Sequence, residues 1–351
     1  MIQAALAKLV EKQSLTMEEA EEAMGEIMEG QATPAQIAGF LVALRLKGET
    51  EEEMAGFVTV MRAHAVPVEG PEGVVLVDTC GTGGDGRHTF NISTAAACVA
   101  AGAGAYVAKH GNRAMSGRCG SADVLEALGV NIQLGPQDVA RTLAETRLGF
   151  MFAPKYHPAM RHAGPVRAEL RVRTVFNLLG PLTNPAGARA QVLGVADPRA
   201  ALIIARALAK LGTRHALVVH GDSGLDEIAL SGPTICYEIR DGQEPRRFTI
   251  TPEEFGLKSA PIAAIKGGPP PESAEVVQRI LDGEPGPPRD VVLLNSAAAL
   301  YVGGQVASLE DGVALAAETI DSHAAAAALD RFIAASNNRP APADTPAPVP
   351  A

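Results

Sequence analysis

The sequence predicts an α/β protein in which a small, all-helical N-terminal domain precedes a large α/β domain with a mostly parallel central sheet flanked by helices. Three observations lead to this fold class. Residues up to about 65 combine helix-start signals with apolar residues at helical spacing; from Val74 onward, short apolar runs alternate with helical stretches; and the Pro/Gly-rich segment 66–73 separates the two patterns. A chain of 351 residues is long enough for two unequal domains.

Three capping boxes mark helix starts in the N-terminal region, at Thr16–Glu19, Thr33–Gln36 and Thr50–Glu53. Pro34 supports the second of them, because proline is favoured at the first position of a helix. Apolar stripes follow the second and third boxes: Ile37, Phe40, Leu41 and Leu44, and then Met54, Phe57, Val58 and Met61. We expect these stripes to bury against each other, against the rest of the chain, or against a second copy.

The region after Val74 alternates between strand-like and helix-like segments. The expected strands lie at 74–78, 105–108, 149–152, 190–195 and 216–220, and the expected helices at 91–102, 121–128 and 198–211. Such alternation is typical of a parallel sheet covered by helices, in which ligands lie beyond the carboxyl ends of the strands. Further along, we expect a strand and a loop within 240–257 and helices at about 291–302 and 309–335.

These segments divide the chain into a helical domain at 1–69, an α/β domain at 70–336 and a Pro/Ala-rich tail at 337–351. The tail is expected to be disordered because its composition offers little apolar surface to bury. A segment around 167–187, which is rich in turn formers, is expected to join the two domains.

Composition narrows the range of functions. The formal net charge of −10 argues against broad binding to nucleic acid or to an acidic membrane surface. The sequence has no N-terminal signal segment and no apolar stretch of ~18 residues, so we expect a cytoplasmic protein that does not bind membranes. Its four cysteines form no CxxC pair, so neither zinc nor a redox dithiol is indicated.

The stretch from Asp78 to Asn112 carries the clearest functional signal. It follows an apolar run and contains a glycine-rich loop, GTGGDG, before an Ala-rich helix. Polar residues crowd the start of that helix: Thr89, Asn91, Ser93 and Thr94. Glycines let the backbone approach a phosphate, and the start of a helix offers free N–H groups and the positive end of its dipole. With Lys109 as an added charge, the stretch predicts an anion site.

Several interpretations of this loop compete. Gly81-x-Gly83-x-x-Gly86 matches a dinucleotide-binding fingerprint, but the acidic residue expected about 20 positions later is absent and Lys109 stands in that region. A nucleotide P-loop would need a Gly-Lys-Ser/Thr ending, which is also absent. A plain glycine-rich turn would explain the glycines but not the polar residues at 85–94. A site for a sugar phosphate or diphosphate fits best.

Six motifs occur in order along the chain: DTCGTGGDG, FNISTA, VAKHGNRAMSGRCGSADVLEALG, HPAM, RTVFNLLGPLTNPA and GLDE. With these six motifs, the chain resembles the anthranilate phosphoribosyltransferase family over nearly its whole length. The resemblance implies the nucleoside phosphorylase/phosphoribosyltransferase-like fold, and usually a homodimer formed through the helical domain. It implies a pentosyltransferase of tryptophan biosynthesis, which transfers the 5-phosphoribosyl group from phosphoribosyl pyrophosphate to the amine of anthranilate, with Mg²⁺, and releases pyrophosphate.

The resemblance also implies roles for individual residues. Residues expected to bind phosphoribosyl pyrophosphate are Gly81, Gly83, Gly84, Asp85, Thr89, Asn91, Ser93, Thr94, Lys109 and Ser121. Residues expected to border the anthranilate site are Gly81, His110, Asn112, His157, Arg167 and Gly180. The expected metal contacts are Ser93, Asp226 and Glu227, with two Mg²⁺ ions per subunit. One departure lies near this site, because Arg171 stands where the family commonly has glycine.

These residue types suit the chemistry. Mg²⁺ prefers oxygen ligands, and adjacent carboxylates in a loop can both face one cleft, where the ion would neutralise a leaving diphosphate. Arg167 can pair with the carboxylate of anthranilate through two parallel hydrogen bonds. The aryl amine is neutral and nucleophilic at pH 7, so no catalytic residue is assigned with certainty, although His110 is a candidate proton acceptor.

Two other functions stay open at this point. One is a pyrimidine nucleoside phosphorylase-like enzyme, which would not need Asp226 and Glu227 for magnesium. The other is a non-catalytic, nucleic-acid-binding relative, which the net charge of −10 disfavours.

Overall fold

The structure is a computed structural model that describes residues 1–114 and 117–338. Four helices form the N-terminal domain: α1 is Ile2–Val10, α2 is Met17–Met28, α3 is Pro34–Lys47 and α4 is Glu51–Ala63. All three predicted capping boxes are confirmed, with Thr16, Thr33 and Thr50 each accepting a hydrogen bond from the backbone N–H three residues later. The caps fix where α2, α3 and α4 begin, and so set which faces of these helices turn inward.

Both predicted apolar stripes are buried within the chain itself. Their eight residues belong to one hydrophobic core, in which the Phe40 and Phe57 rings meet edge to face with centroids 5.9 Å apart. The same core contains residues from well beyond the N-terminal domain, including Val166 and Phe176. A second copy is therefore not needed to cover the stripes. The apolar residues that stay exposed on these helices are Val10, Val42 and Leu46.

A seven-stranded sheet forms the centre of the larger domain. Its strands are β1 Leu76–Gly81, β2 Tyr106–Gly111, β3 Leu148–Phe152, β4 Ala190–Gly194, β5 His215–His220, β6 Thr234–Arg240 and β7 Arg246–Ile250. The strand order is β3-β2-β1-β4-β5-β6-β7. The first five strands of this order pair in parallel, whereas β6 and β7 are antiparallel to their neighbours. The predicted mostly parallel sheet is confirmed.

Eleven further helices are found among the described residues. They are α5 Ile92–Gly102, α6 Ser121–Ala127, α7 Pro136–Thr146, α8 Ala153–Tyr156, α9 Gly164–Leu170, α10 Phe176–Leu179, α11 Pro198–Lys210, α12 Pro270–Leu281, α13 Pro287–Val302, α14 Leu309–Asp321 and α15 Ala324–Ser336. The single helix predicted for 309–335 is wrong, because α14 ends before Ser322 and His323 adopts a left-handed backbone with φ of 59°. Helix α12 was not predicted.

The segment between the two domains is firmly attached. Val68, in the predicted hinge, is buried and donates its backbone N–H to Pro185 O at 3.1 Å. From the helical domain, Arg62 Nε donates to Leu182 O at 2.8 Å. Phe176 of α10 packs in the hydrophobic core that contains the two apolar stripes of the N-terminal domain. The segment around 167–187 thus touches both the helical domain and the predicted hinge, and its role as the joint stays a prediction.

Two residues of the predicted tail are described. Asn337 donates its side-chain amide to Gly129 O at 2.9 Å, and Asn338 Oδ1 accepts a hydrogen bond from Arg141 at 2.7 Å. Residues 339–351 lie outside the described residues. In the parts of the chain that the structure covers, no helix combines the length and the apolar character needed to cross a bilayer.

Candidate functional site

The loops that carry the predicted site all leave the same edge of the sheet. Parallel strands end on one side, so the loops after Gly81, Gly111, Gly194 and His220 meet there. The loop after β1 leads through the predicted anion site into α5. The loop after β5 carries Asp226 and Glu227. Since β4 alone lies between β1 and β5, the two loops are close neighbours.

Two hydrogen bonds join the glycine loop to the acidic pair. The backbone N–H of Gly83 donates to Asp226 Oδ2 at 2.7 Å. The backbone N–H of Ser93, in the first turn of α5, donates to Glu227 Oε1 at 3.2 Å. Both donors belong to groups that the start of a helix or a glycine loop would offer to an anion. The structure therefore places the two predicted parts of the site in one cleft.

Glycine is required where the ends of β1 and β4 approach the loop that carries Asp226. A side chain at Gly81 would overlap the Asp226 carboxylate, whose Cγ would lie 3.0 Å from the added Cβ. A side chain at Gly194, the last residue of β4, would overlap the backbone of Asp226. Gly194 was not predicted as a site residue. The sequence offered little sign of this role, because a glycine at a strand end is common. Asp226, against which Gly194 packs, also lies far along the chain.

Without a bound cation, ionisation of Asp226 and Glu227 is energetically unfavourable. Although both carboxylates keep some solvent contact, burial raises the pKa of Asp226, and the nearby Asp85 raises it further. Burial and repulsion from Asp226 likewise raise the pKa of Glu227, while Lys109 acts in the opposite direction. A bound cation would offset this repulsion, so the pair has the electrostatic character of a cation site.

The donor atoms available suit magnesium. Asp226, Glu227 and the Ser93 hydroxyl all offer oxygen, the ligand that Mg²⁺ prefers. The described residues contain no cluster of three or more His, Cys, Asp or Glu side chains arranged for a metal. One or two carboxylates are enough for a magnesium ion when substrate oxygens and water complete its shell. The residues present therefore fit this ion.

Lys109 is a buried lysine that bridges two elements of the site. Its ammonium group donates to the backbone carbonyl of Thr79 in β1, and lies 3.3 Å from Ser93 Oγ in α5. Only 2% of its surface is exposed, so an interpretation as a surface lysine is excluded. It brings a positive charge to the point where β1, β2 and the start of α5 meet.

Two polar atoms near the start of α5 lack a partner among the described residues. They are the buried Asn91 Oδ1 and Thr94 Oγ1. The other end of the Asn91 amide donates to Cys119 O at 3.1 Å, which fixes the orientation of this side chain. Unpartnered buried polar groups are costly, and they are commonly satisfied by a ligand or water. The Thr94 hydroxyl can donate to an anion, whereas Asn91 Oδ1 can only accept a hydrogen bond, as from a sugar hydroxyl.

The other predicted donor-site residues have diverse contacts. Asp85 Oδ1 accepts a hydrogen bond from the backbone N–H of Arg87 at 3.0 Å, which shapes the glycine loop. Thr89 pairs with Lys266 in an isolated antiparallel bridge. Ser121 Oγ donates to Asn112 O at 3.4 Å, and so connects the start of α6 to the loop after β2. No hydrogen bond joins Thr89 to Asp226 or Glu227 within the described ranges.

His110, near the end of β2, and His157 form a buried pair. Their Nε2 atoms lie 3.2 Å apart, so the N–H of one ring donates a hydrogen bond to the unprotonated nitrogen of the other. Burial, and then the neighbouring His157, lowers the pKa of His110 to about 3. Burial lowers the pKa of His157 to about 4. Both rings are therefore neutral at pH 7, and His110 can accept a proton but holds it weakly.

Arg167 projects from α9 and lies over the Phe176 ring, 5.2 Å from its centroid. Burial lowers its pKa, which marks a guanidinium held partly out of water. Among the described residues, no hydrogen bond links Arg167 to His110 or to the glycine loop. Gly180 has room on its Cβ side, since an added Cβ there would meet nothing within 4 Å.

Three polar residues that shape the site were not predicted. Asp78 is buried at the foot of the glycine loop, and Asn184 donates to its carboxylate. Arg173 lies against the glycine loop from the joint between the domains. Asp78 ends the apolar run of β1, which was a usable signal. Asn184 and Arg173 act across long sequence separations, which no local spacing reveals.

Arg171, the predicted departure, has a left-handed backbone with φ of 50° at the end of α9. Glycine adopts this conformation without strain, which explains why glycine would be favoured there. The four cysteines of the chain are free thiols.

Residues 73–326 match the α/β domain of the glycosyl transferase family, and residues 3–65 match the helical bundle domain of the same family. The chain is 57% identical over 338 residues to the anthranilate phosphoribosyltransferase of Chloroflexus aurantiacus, with 95% of this chain and 98% of that protein covered.

Solved structures give the same result. The fold is similar to the crystal structure of anthranilate phosphoribosyltransferase from Thermus thermophilus, with a TM-score of 0.89, 49% identity, and 95% of this chain and 99% of that chain covered. It is also similar to the anthranilate phosphoribosyltransferase of Saccharomyces cerevisiae in complex with PRPP and Mg, with a TM-score of 0.87, 28% identity, and coverage of 96% and 98%.

Proposed function

The chain belongs to the anthranilate phosphoribosyltransferase family, and we propose from this premise that the cleft between the glycine loop and the acidic pair binds the phosphoribosyl donor. The enzyme transfers the 5-phosphoribosyl group from phosphoribosyl pyrophosphate to the amine of anthranilate. It yields N-(5-phosphoribosyl)anthranilate and pyrophosphate, in tryptophan biosynthesis. The observation that carries the assignment of the cleft is the pair of hydrogen bonds from Gly83 and Ser93 to Asp226 and Glu227.

The donor side comprises residues of the glycine loop and of the start of α5, together with Lys109 and Ser121. They are Gly81, Gly83, Gly84, Asp85, Thr89, Asn91, Ser93, Thr94, Lys109 and Ser121. Backbone N–H groups of the loop and of the first turn of α5 are donors for the diphosphate. Lys109 supplies charge from below, and the unpartnered Asn91 Oδ1 and Thr94 Oγ1 gain partners when the donor binds.

Magnesium is used by the enzyme, as the yeast relative in complex with PRPP and Mg indicates. Asp226, Glu227 and Ser93 would hold it, and the ion would neutralise the charge of the departing diphosphate. We propose two ions per subunit, because the adjacent carboxylates accept hydrogen bonds from different segments and so face different parts of the cleft.

The acceptor side lies around His110, Asn112, His157, Arg167 and Gly180, with Gly81 bordering both substrates. Arg167 would pair with the carboxylate of anthranilate, because a guanidinium fork matches a carboxylate and this one is partly shielded from water. The neutral His110 and His157 would position the ring. The amine attacks the anomeric carbon as neutral nitrogen, so alignment of the reactants contributes a large part of the rate.

A homodimer through the helical domain and a cytoplasmic location complete the proposal. Exposed apolar side chains remain on α1 and α3: Val10, Val42 and Leu46, of which Leu46 is 79% exposed. Helical surfaces with such residues are candidates for contact with a second copy. Sedimentation of the wild-type chain and of Leu46→Glu tests this: a dimer that dissociates in the variant supports it, and a monomeric wild type contradicts it.

The test of the function is the loss of anthranilate fluorescence when phosphoribosyl pyrophosphate and Mg²⁺ are added to the protein. We expect turnover that requires donor and metal and that EDTA abolishes. Phosphorolysis of a pyrimidine nucleoside that persists in EDTA would instead support a nucleoside phosphorylase. Strong retention on heparin at moderate salt, without turnover, would support a nucleic-acid-binding relative.

A further inference from the structure

Arg173 lies directly across the backbone of the glycine loop. A Cβ atom built on Gly84 would overlap the guanidinium group, with Cζ of Arg173 only 2.6 Å away. Arg173 NH2 also faces the carbonyl oxygen of Thr82 at 3.5 Å, the limit of a hydrogen bond. Gly84 has φ of 71°, so glycine serves there both for the backbone conformation and for room beside the arginine.

The Arg173 guanidinium has no carboxylate partner among the described residues. Other arginines in the described part of the chain are paired: Arg113 with Asp123 and Glu126, and Arg199 with Asp197. Arg173 is nevertheless half-buried rather than extended into solvent. A guanidinium that is partly desolvated beside a loop, and that makes one weak hydrogen bond, has unused capacity for an anion.

Both ends of this contact are anchored. The residue after Arg173 donates its backbone N–H to Asn177 Oδ1 at 2.9 Å, and Val175 is fully buried in the helical core. On the other side, Thr82 donates its backbone N–H to Gly194 O at 2.9 Å, and its hydroxyl accepts a hydrogen bond from Ala196 N at 3.3 Å. Arg173 thus reaches from the joint between the domains to a fixed point on the donor loop.

The negative charge around the glycine loop favours an additional cationic side chain such as Arg173. Asp85, Asp226 and Glu227 are all acidic, and the donor adds the charges of a diphosphate. Magnesium and Lys109 offset part of this negative charge. The five N–H groups of a guanidinium match phosphate oxygens in pairs, which a point charge such as Lys109 does not.

We propose that Arg173 is a further donor-binding residue, whose guanidinium binds oxygens of the diphosphate as it lies over Gly84. The inference rests on the proposed function of the cleft and extends it to the joint between the two domains. Because Gly84 belongs to the donor loop, Arg173 serves the donor and not the carboxylate of anthranilate, which leaves Arg167 for the acceptor.

The test compares Arg173→Gln and Arg173→Lys with the matched control Arg171→Lys, which alters an exposed arginine two residues away. In steady-state assays we expect Arg173→Gln to raise the KM for phosphoribosyl pyrophosphate by about tenfold or more, since charged hydrogen bonds are lost. The KM for anthranilate should change less than about twofold. Arg173→Lys keeps the charge without the fork and should fall between wild type and Arg173→Gln.

Binding of inorganic pyrophosphate with Mg²⁺, measured by calorimetry on the full chain, gives a second readout that does not depend on turnover. We expect affinity to fall in the same order as the donor KM rises. If Arg173→Gln does not fold, Arg173→Lys carries the test alone.

A donor KM and a pyrophosphate affinity equal to those of Arg171→Lys would overturn the inference, as would a rise in the anthranilate KM alone. Wild-type protein assayed in parallel separates this failure from that of the proposed function. An active wild type with normal Arg173 variants removes only the role of Arg173, whereas an inactive wild type removes the function itself.

Discussion

Asn184 donates its side-chain amide to Asp78 Oδ2 at 2.8 Å and to Ala108 O at 2.8 Å, and so joins the segment between the domains to the ends of β1 and β2. The other oxygen of Asp78 accepts a hydrogen bond from the backbone N–H of His110 at 3.3 Å. Asp78 is fully buried, and burial raises the pKa of its carboxyl group. The pair therefore fixes, from beneath, the strand end that carries Lys109 and His110.

Removing the amide should destabilise the protein. In Asn184→Ala, the buried Asp78 carboxyl group loses a donor and the backbone N–H of Ala186 loses its acceptor. We expect the free energy of unfolding to fall by about 2–3 kcal/mol, measured by urea denaturation. Asn131→Ala is a suitable control, because Asn131 is exposed and caps only a neighbouring turn; its effect should stay within about 0.5 kcal/mol. Equal effects of the two substitutions would contradict the proposed anchor.

Asp226→Asn should separate stability from activity. In the metal-free enzyme the substitution removes repulsion between Asp226, Glu227 and Asp85, so we expect the protein in EDTA to gain about 1 kcal/mol of stability at pH 8. The Mg²⁺-dependent rate should fall by about 100-fold or more, because the leaving diphosphate loses part of its neutralisation. Thermal unfolding in EDTA and the fluorescence assay measure the two effects.

The pH dependence of the stability of the same variant tests whether the pKa values of Asp226 and Glu227 are raised. The raised pKa values mean that the native state holds protons that the unfolded state releases above the ordinary values of 3.8 and 4.5. This contribution to stability is fully present below those values and is lost as pH rises through the raised ones. The advantage of Asp226→Asn should therefore grow from pH 5 to pH 8. An advantage that shrinks as pH rises would contradict the assignment.

The sequence predicted the parts of this fold that depend on local patterns and missed those that depend on distant contacts. The capping boxes at Thr16, Thr33 and Thr50 need only a residue three positions later, and each is present. The break at His323 was missed because no glycine or proline stands within 319–327 to mark it. Asn184 and Asp78 are 106 residues apart, and no spacing rule connects them. Gly194 and Arg173 matter because of what folds against them, which the order of residues alone does not reveal.

His110 and His157 should stay neutral across the working range of the enzyme. With pKa values of about 3 and about 4, they differ from histidines in the unfolded chain, which titrate near 6.5. Their contribution to stability is present above that value and is lost as pH falls toward the native values. We expect the C2–H signals of His110 and His157 in NMR to shift little between pH 8 and pH 5.

The variants His110→Gln and His157→Gln assign those two signals. In His157→Gln the pKa of His110 should rise, because its neighbour no longer adds to the effect of burial, but it should remain below 6.5 because burial is the larger cause. A His110 signal that titrates near 6.5 in the wild type would contradict the buried pair, and would make His110 a stronger base than its buried position allows.

Arg171→Gly should stabilise the protein, because Arg171 occupies the left-handed position that ends α9, with φ of 50°. Relief of this strain is worth about 1–2 kcal/mol, and the greater freedom of glycine in the unfolded chain offsets about 0.4–1 kcal/mol of it. We expect a net gain of about 0.5–1 kcal/mol, read as a rise of about 2 °C in Tm. Arg171→Ala is the matched control: it removes the same exposed side chain but keeps a Cβ, so the strain persists and Tm should not rise. Equal Tm values for the two variants would mean that the left-handed backbone is not the source of the strain. The KM for anthranilate should be unchanged in both, since α9 still positions Arg167 from one turn earlier.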